Sequence, residues 1–203
     1  QWIRRYYDVG NFELHVSPEY FDQVMESRYL YHSENDETAI IEDVSFQQNQ
    51  TGTSDLVLKG RFLEALLYDR VINRTETLSG NLETALRNLI VKYAMTGERK
   101  IPLLQLSSAK GFDETINLQT TGAVLMEKLY ATLQSYEMSF KLHYDYLKNI
   151  IYFSIWKGAD RTQSQDKNTW AIFSNSFENV LDTVYNKNDA DYKNFAYVAG
   201  SGE

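Results

Sequence analysis

Acid–base or metal chemistry would fall first to His15, His32 and His143, the only three histidines. Each stands alone in a strand-like run or at its end. No HExxH or His-x-His spacing brings a second ligand to the same face, so isolated strand positions are the plainer reading. The acids Glu34, Asp36, Glu37, Glu42 and Asp43 are dense enough to suggest calcium. They lack the Asp-x-Asp-x-Asp-Gly spacing of a calcium loop, and a solvated turn between strands favours the same residue types. A glycosidase needs two acids flanking one bond, but with 28 acids some pair always exists. Gly-x-Ser-x-Gly, GxGxxG and P-loop patterns are missing, and Gly200-Ser201-Gly202 is a tail rather than a nucleophile elbow. Gly158-Ala159-Asp160-Arg161-Thr162 could hold an anion between Asp and Arg. A turn with Asp160 bonded to local amides is the preferred reading. No cysteine is present, which removes disulfides, thiolate zinc sites and cysteine nucleophiles. No catalytic, cofactor-binding or metal-binding residue is assigned, and no cofactor is expected.

The elements that would position any such group must come from a chain of 203 residues, enough for one large domain or two small ones. Its 15 Tyr, 10 Phe and 3 Trp suit half-buried strands, and aromatics are also enriched at subunit interfaces. A net charge of -8 argues against stable nucleic-acid binding through phosphates, although solubility alone would account for it. No apolar run approaches the ~20 residues of a membrane helix. The start at Gln1 and the end at Gly200-Ser201-Gly202-Glu203 read as the edges of a trimmed domain.

Residues 2–7 and 11–16 flank Asp8-Val9-Gly10 and read as a hairpin. Ser17-Pro18 opens a short helix, and 28–32 returns as a strand. Residues 38–72 read as a long strand, a polar turn at 49–53, a second strand over 55–60 and a short apolar helix marked by Phe62, Leu63, Leu66 and Leu67. In the first strand Ile40, Glu42, Val44 and Phe46 share one face. Lys59-Gly60-Arg61 is the joint where sheet gives way to helix, with Gly60 allowing close approach. A helix over 81–95 carries Leu82, Leu86, Leu89, Ile90 and Tyr93 at the helical period, capped by Ser79 or Asn81 and ended by Gly97. A strand at 103–108 follows. A second helix over 121–136 carries Leu125, Leu129, Leu133 and Tyr136 on one side. In the next run Met138, Phe140, Leu142 and Tyr144 point inward, Ser139, Lys141 and His143 outward. It turns at 146–149 and pairs with 150–156. After a polar loop at 158–168, residues 169–174, 181–186 and 194–200 read as strands. The chain is therefore α+β: a β-barrel-like domain from 1–75 and 158–203, with an inserted α/β part, helix plus β-hairpin, at 76–157.

Several segments in this order resemble one family. They are WIRRYYDVGNFELHV, AIIEDVSF with LKGRFLEALLYDRVI, GERKIPLL, GADRT, AIFSNSFENV and DYKNFAYVAG. Together they are similar to prophage and siphophage tail proteins that form the hub of the tail tip. Members are longer at both ends. The resemblance implies an architecture like the tail hubs of contractile phages and a homo-oligomer, a trimeric ring when full length. Its pseudo-sixfold domains would match a tail-tube or distal tail ring, with the tape-measure protein as a further partner. The place would be the virion tail tip, after synthesis in the bacterial cytoplasm. Such a closed ring is built on heterologous contacts, and an acidic lumen would let DNA slide through.

A non-enzymatic structural virion protein is therefore the leading expectation. A tail-associated cell-wall hydrolase would instead show a concave pocket with convergent carboxylates or a partnered histidine. A carbohydrate-binding module would show a row of coplanar exposed aromatics near Trp2, Trp156 or Trp170.

Overall fold

Only the base of the first hairpin forms a ladder. Strand β1 (Trp2–Ile3) pairs antiparallel with β2 (Asn11–Val16), Trp2 opposite Phe12. The computed structural model describes residues 1–32, 35–48, 54–180, 182–185, 187 and 195. Residues 4–8 leave the sheet because other partners hold them. The Tyr6 hydroxyl donates to the Glu137 carbonyl at 2.9 Å and accepts from the Gly158 N–H at 2.7 Å. The Tyr6 carbonyl accepts from the Ser139 hydroxyl, and its ring meets Trp156 edge-on at 4.7 Å. Ser139, expected to point outward, is buried by this contact.

The long strand expected from residue 38 is two strands. Pro18–Tyr20 and α1 (Phe21–Met25) lead into β3 (Tyr29–Tyr31), which pairs with β4 (Thr38–Ile40). The chain then steps at Ile41 and Glu42, and β5 (Asp43–Gln48) pairs with β6 (Ser54–Arg61). The step is built on Gly60. A β-carbon there would lie 1.9 Å from the Ile40 carbonyl oxygen, so only glycine admits the crossing. Ile41 and Glu42 donate their N–H groups to Arg28 and Lys59 carbonyls, both at 3.0 Å. Val44 and Phe46 share a face within β5, opposite Leu58 and Leu56, but the step takes Ile40 and Glu42 out of that row: Ile40 is buried in β4 and Glu42 is exposed. The turn expected at 49–53 lies outside the described residues.

The resulting sheet has the order β1-β2-β6-β5. One face sets Phe12, Leu56, Leu58 and Val44 against Trp2, Phe21 and Val24. The other carries Glu13, His15, Lys59 and Asp55, as the period-2 register requires.

A 3-10 turn, Leu63–Leu67, leads to β7 (Val71–Ile72), β8 (Glu76–Asn81) and α2 (Leu82–Ile90). Asn81 caps α2 by accepting the Thr84 N–H at 2.9 Å. The last turn of the expected helix widens to π geometry over Val91–Met95. Next come β9 (Leu104–Leu106), β10 (Thr115–Thr120), β11 (Ala123–Val124), α3 (Leu125–Gln134), β12 (Met138–Asp145) and β13 (Ile150–Lys157). The β12–β13 hairpin takes the expected register, and β9 adds parallel to β13. The second helix, expected over 121–136, spans Leu125–Gln134, and Ala123 and Val124 pair with β7 instead. β8 and β10 were not expected; only Leu78, Ile116 and Thr120 of this pair are buried, too few for a clear pattern. Leu86 and Ile90 of α2, Leu129 and Leu133 of α3, and Phe140, Phe153 and Ile155 of the hairpin share one core with Ile40 and Leu67.

The chain divides into two compact units, Gln1–Gly158 and Ala159–Glu203. The polar loop expected over 158–168 is exposed for nearly all its length and, from Ala159 on, belongs to the second unit. Residues 169–174 are not a strand: among the described residues, of their N–H groups only that of Ala171 finds a main-chain partner, the Arg161 carbonyl, and no strand lies alongside to build a ladder. The described part of 181–186 carries no strand, and 194–200 lies outside the described residues except Phe195. The class is α+β. Among the described residues the sheets hold two to four strands and none closes into a barrel.

Candidate functional site

The residues singled out for chemistry are dispersed. His15 meets Glu13 at 2.9 Å and Asp55 at 3.9 Å on the polar face of the four-stranded sheet. His32 lies beside the Trp2 ring, 6.0 Å between centroids. The Nδ1 of His143 is 2.9 Å from the Asp36 carbonyl. The acids are answered by separate cations: Asp36 by Lys141, Glu37 by Arg4, Glu42 by Arg61. Glu34 lies outside the described residues. No group of three potential metal ligands converges among the described residues. Asp160 accepts the Thr162 N–H at 2.8 Å, and Arg161 donates to the Thr169 carbonyl, which is a turn closed on itself.

These pairings set the carboxyl affinities. Hydrogen bonds from His15 and then Lys59 pull Glu13 down to about 2. The Lys141 ammonium holds Asp36 below the usual carboxylate range, and Lys92 with Tyr93 does the same for Glu76. The guanidinium of Arg61 is raised by its hydrogen bonds to Glu42.

The group that the sequence did not disclose is Glu64. It sits in the 3-10 turn with 7 % of its surface exposed. The reading of Phe62, Leu63, Leu66 and Leu67 as a helical face left Glu64 outward. At three residues per turn Glu64 instead falls on the row of Leu67, which is buried. Burial pushes its carboxyl up to about 7, outweighing backbone hydrogen bonds from the Leu142 N–H, at 2.9 Å, and from its own N–H. Tyr130 is raised as well, by burial and then by Glu64 and Asp8. The only signal in the sequence is an acid embedded in FLEALL.

Around Glu64 lies a cleft of about 60 Å³, bordered by Arg4, Asp8, Asp36, Glu37 and Lys141. Carboxyl groups thus do gather at one place. The space admits water molecules but falls well short of the roughly 300 Å³ that a sugar or peptide site needs. A buried acid there can hold a proton near neutrality; it has no room to present one to a polymer.

Two of the three tryptophans pack against other rings of the chain. Trp2 packs on Phe12 and Phe62 with tilted rings, and Trp156 meets Tyr6 edge-on. Large apolar groups remain exposed beside the free edge of β5. Phe46 is 58 % exposed and stacks on Phe21 at 5.3 Å, with Met25 one helical turn further along α1 at 60 %. Along β5 the outer row of backbone N–H and C=O groups has no strand partner among the described residues. An unsealed edge with aromatics beside it is a template for another chain. Tyr31 and Tyr146, ring centroids 5.4 Å apart, form a second exposed pair next to Leu147. In the second unit Trp170, Phe173, Phe177 and Tyr185 are exposed.

The profile of the Siphovirus ReqiPepy6 Gp37-like protein family matches residues 1–203. The chain belongs to that family. No curated protein matches it. No helix among the described residues is long and apolar enough to cross a membrane.

Proposed function

We propose that this siphovirus-family chain is a structural virion protein, a subunit of the hub at the tail tip. It would join the tail-tube or distal tail ring to the host-recognition parts beyond, and contact the tape-measure protein. Family membership supports a phage structural protein. The observation that carries the finer reading is the open β5 edge flanked by Phe46, Phe21 and Met25. A ring subunit needs such a patch, complementary to a different patch on the next copy. The exposed Trp170, Phe173, Phe177 and Tyr185 of the second unit leave apolar surface for a neighbour to cover. The net charge of -8 suits a lumen through which DNA passes without sticking. The hydrolase reading gains the gathered carboxyls at Glu64 but loses on volume.

Light scattering or native mass measurement on the chain extended at both ends tests the reading. A trimer is the expected result, and Phe46→Asp is expected to yield monomer without lowering the melting temperature. A strictly monomeric extended chain at high concentration overturns it.

A further inference from the structure

A second cleft, of about 380 Å³, opens between the 3-10 turn, β7 and the widened end of α2. Arg70, Arg74 and Arg99 border it. The guanidiniums of Arg70 and Arg99 converge on one acceptor, the Asp69 carbonyl oxygen, at 3.2 and 3.1 Å. None of the three arginines forms an ion pair among the described residues, although the chain carries eight more acids than bases. Lys92, on the same rim, is already answered by Glu76. Asp69 and Glu98 border the cleft too, and neither forms an ion pair among the described residues. Three guanidiniums against two carboxylates leave the cleft positive on a negative molecule.

Arg70 is the least satisfied of the three. Its Nε is buried with no hydrogen-bond partner. Burial, and then the like charge of Arg99, lower its affinity for its proton. Holding two guanidiniums on one carbonyl is unfavourable unless an anion answers them. Planar N–H forks arriving from separate elements suit a tetrahedral oxyanion, which offers acceptors in several directions. A bare phosphate would leave most of this volume empty, so room remains for whatever carries it. Asn73 and Thr96 supply neutral polar groups on the lining.

We propose that the Arg70–Arg74–Arg99 cleft is a binding site for a phosphate group carried on a polyol or sugar. This goes beyond the structural role and does not depend on it. A poly(glycerol phosphate) oligomer and inorganic phosphate, titrated calorimetrically at low salt, separate a carried phosphate from a free one; poly-glutamate is the control for an acidic peptide. Arg74→Gln and Arg99→Gln alter exposed side chains, and thermal melts check that both variants fold. The expected result is oligomer binding that each variant weakens by roughly tenfold or more, as the loss of a charged hydrogen bond implies. Inorganic phosphate should bind more weakly at the same arginines. Equal binding by the wild type and both variants, no phosphate binding at millimolar concentration, free phosphate bound as tightly as the oligomer, or poly-glutamate bound as tightly, would each overturn the assignment. Assembly by light scattering should be unchanged in both variants, so this site and the ring reading fail separately.

Discussion

Replacing Glu64 by Gln should stabilise the protein at alkaline pH and leave it nearly unchanged in mild acid. The side chain is 7 % exposed, and burial raises its carboxyl from the ordinary 4.5 to about 7. In the folded state it keeps its proton over a range where the unfolded chain has lost it. Folding stability from this group is therefore full below 4.5 and is lost as pH rises through about 7. At about 1.4 kcal/mol for each tenfold change in proton affinity, the loss is about 3 kcal/mol. Gln reproduces the protonated acid: its oxygen accepts the Leu142 N–H and its amide replaces the acid O–H, with no charge to bury at any pH. Urea unfolding of both proteins at intervals from pH 4.5 to 8.5 gives the comparison. The two should agree within ~1 kcal/mol at the acid end. At pH 8.5 the variant should be ahead by about 3 kcal/mol, or roughly 6–12 °C in melting temperature for a chain of this size. A difference that does not change with pH would refute the reasoning, since it would mean that Glu64 titrates alike folded and unfolded.

Glu83→Gln should act in the opposite direction. Glu83 is also buried but accepts from the backbone N–H groups of Lys110, Gly111 and Phe112, so a Gln amide would face donors; a loss of about 1–3 kcal/mol at neutral pH in the same urea series is expected. On the acid side, the contributions of Glu13, Asp36 and Glu76 are present above the ordinary carboxylate range and are lost as pH falls through their lowered values, about 2 for Glu13. With Glu64 acting at the other end, the wild-type melting temperature should peak near pH 5 and fall on both sides in a calorimetric scan. Gly60→Ala should cost about 3 kcal/mol or more in urea unfolding, because its β-carbon would fall 1.9 Å from the Ile40 carbonyl oxygen. Asn81→Ala should cost about 1 kcal/mol by the same measurement, through loss of the cap at Thr84.

What the sequence disclosed follows the range of the interactions that set each element. The β12–β13 hairpin and the buried faces of α2 and α3 were legible because local periodicity determines them. The step at Ile41 and Glu42 was not, since it depends on Gly60 meeting Ile40 across two strands. The outward reading of Ser139 failed for the same reason: its partner is Tyr6, at the far end of the first unit in sequence. The 169–174 run shows the converse. Its β-propensity is plain, yet propensity supplies no ladder, and a strand exists only where an edge accepts it.

The two buried glutamates explain why the candidate site was harder to read than the fold. Both are acids among apolar neighbours in short local sequences, FLEALL and NLETAL, and both are nearly inaccessible. Glu83 meets three backbone donors from a loop about thirty residues away, and Glu64 meets one from β12. Glu83 also has Arg87 four residues on, at 4.0 Å, whereas Glu64 has no such cation beside it; the distant N–H groups add to that difference. An acid well supplied with donors fixes a loop, and one poorly supplied becomes a proton-holding group near neutrality. The raised carboxyl of Glu64 follows from burial with few donors, and those donors become visible only once the strands are in place.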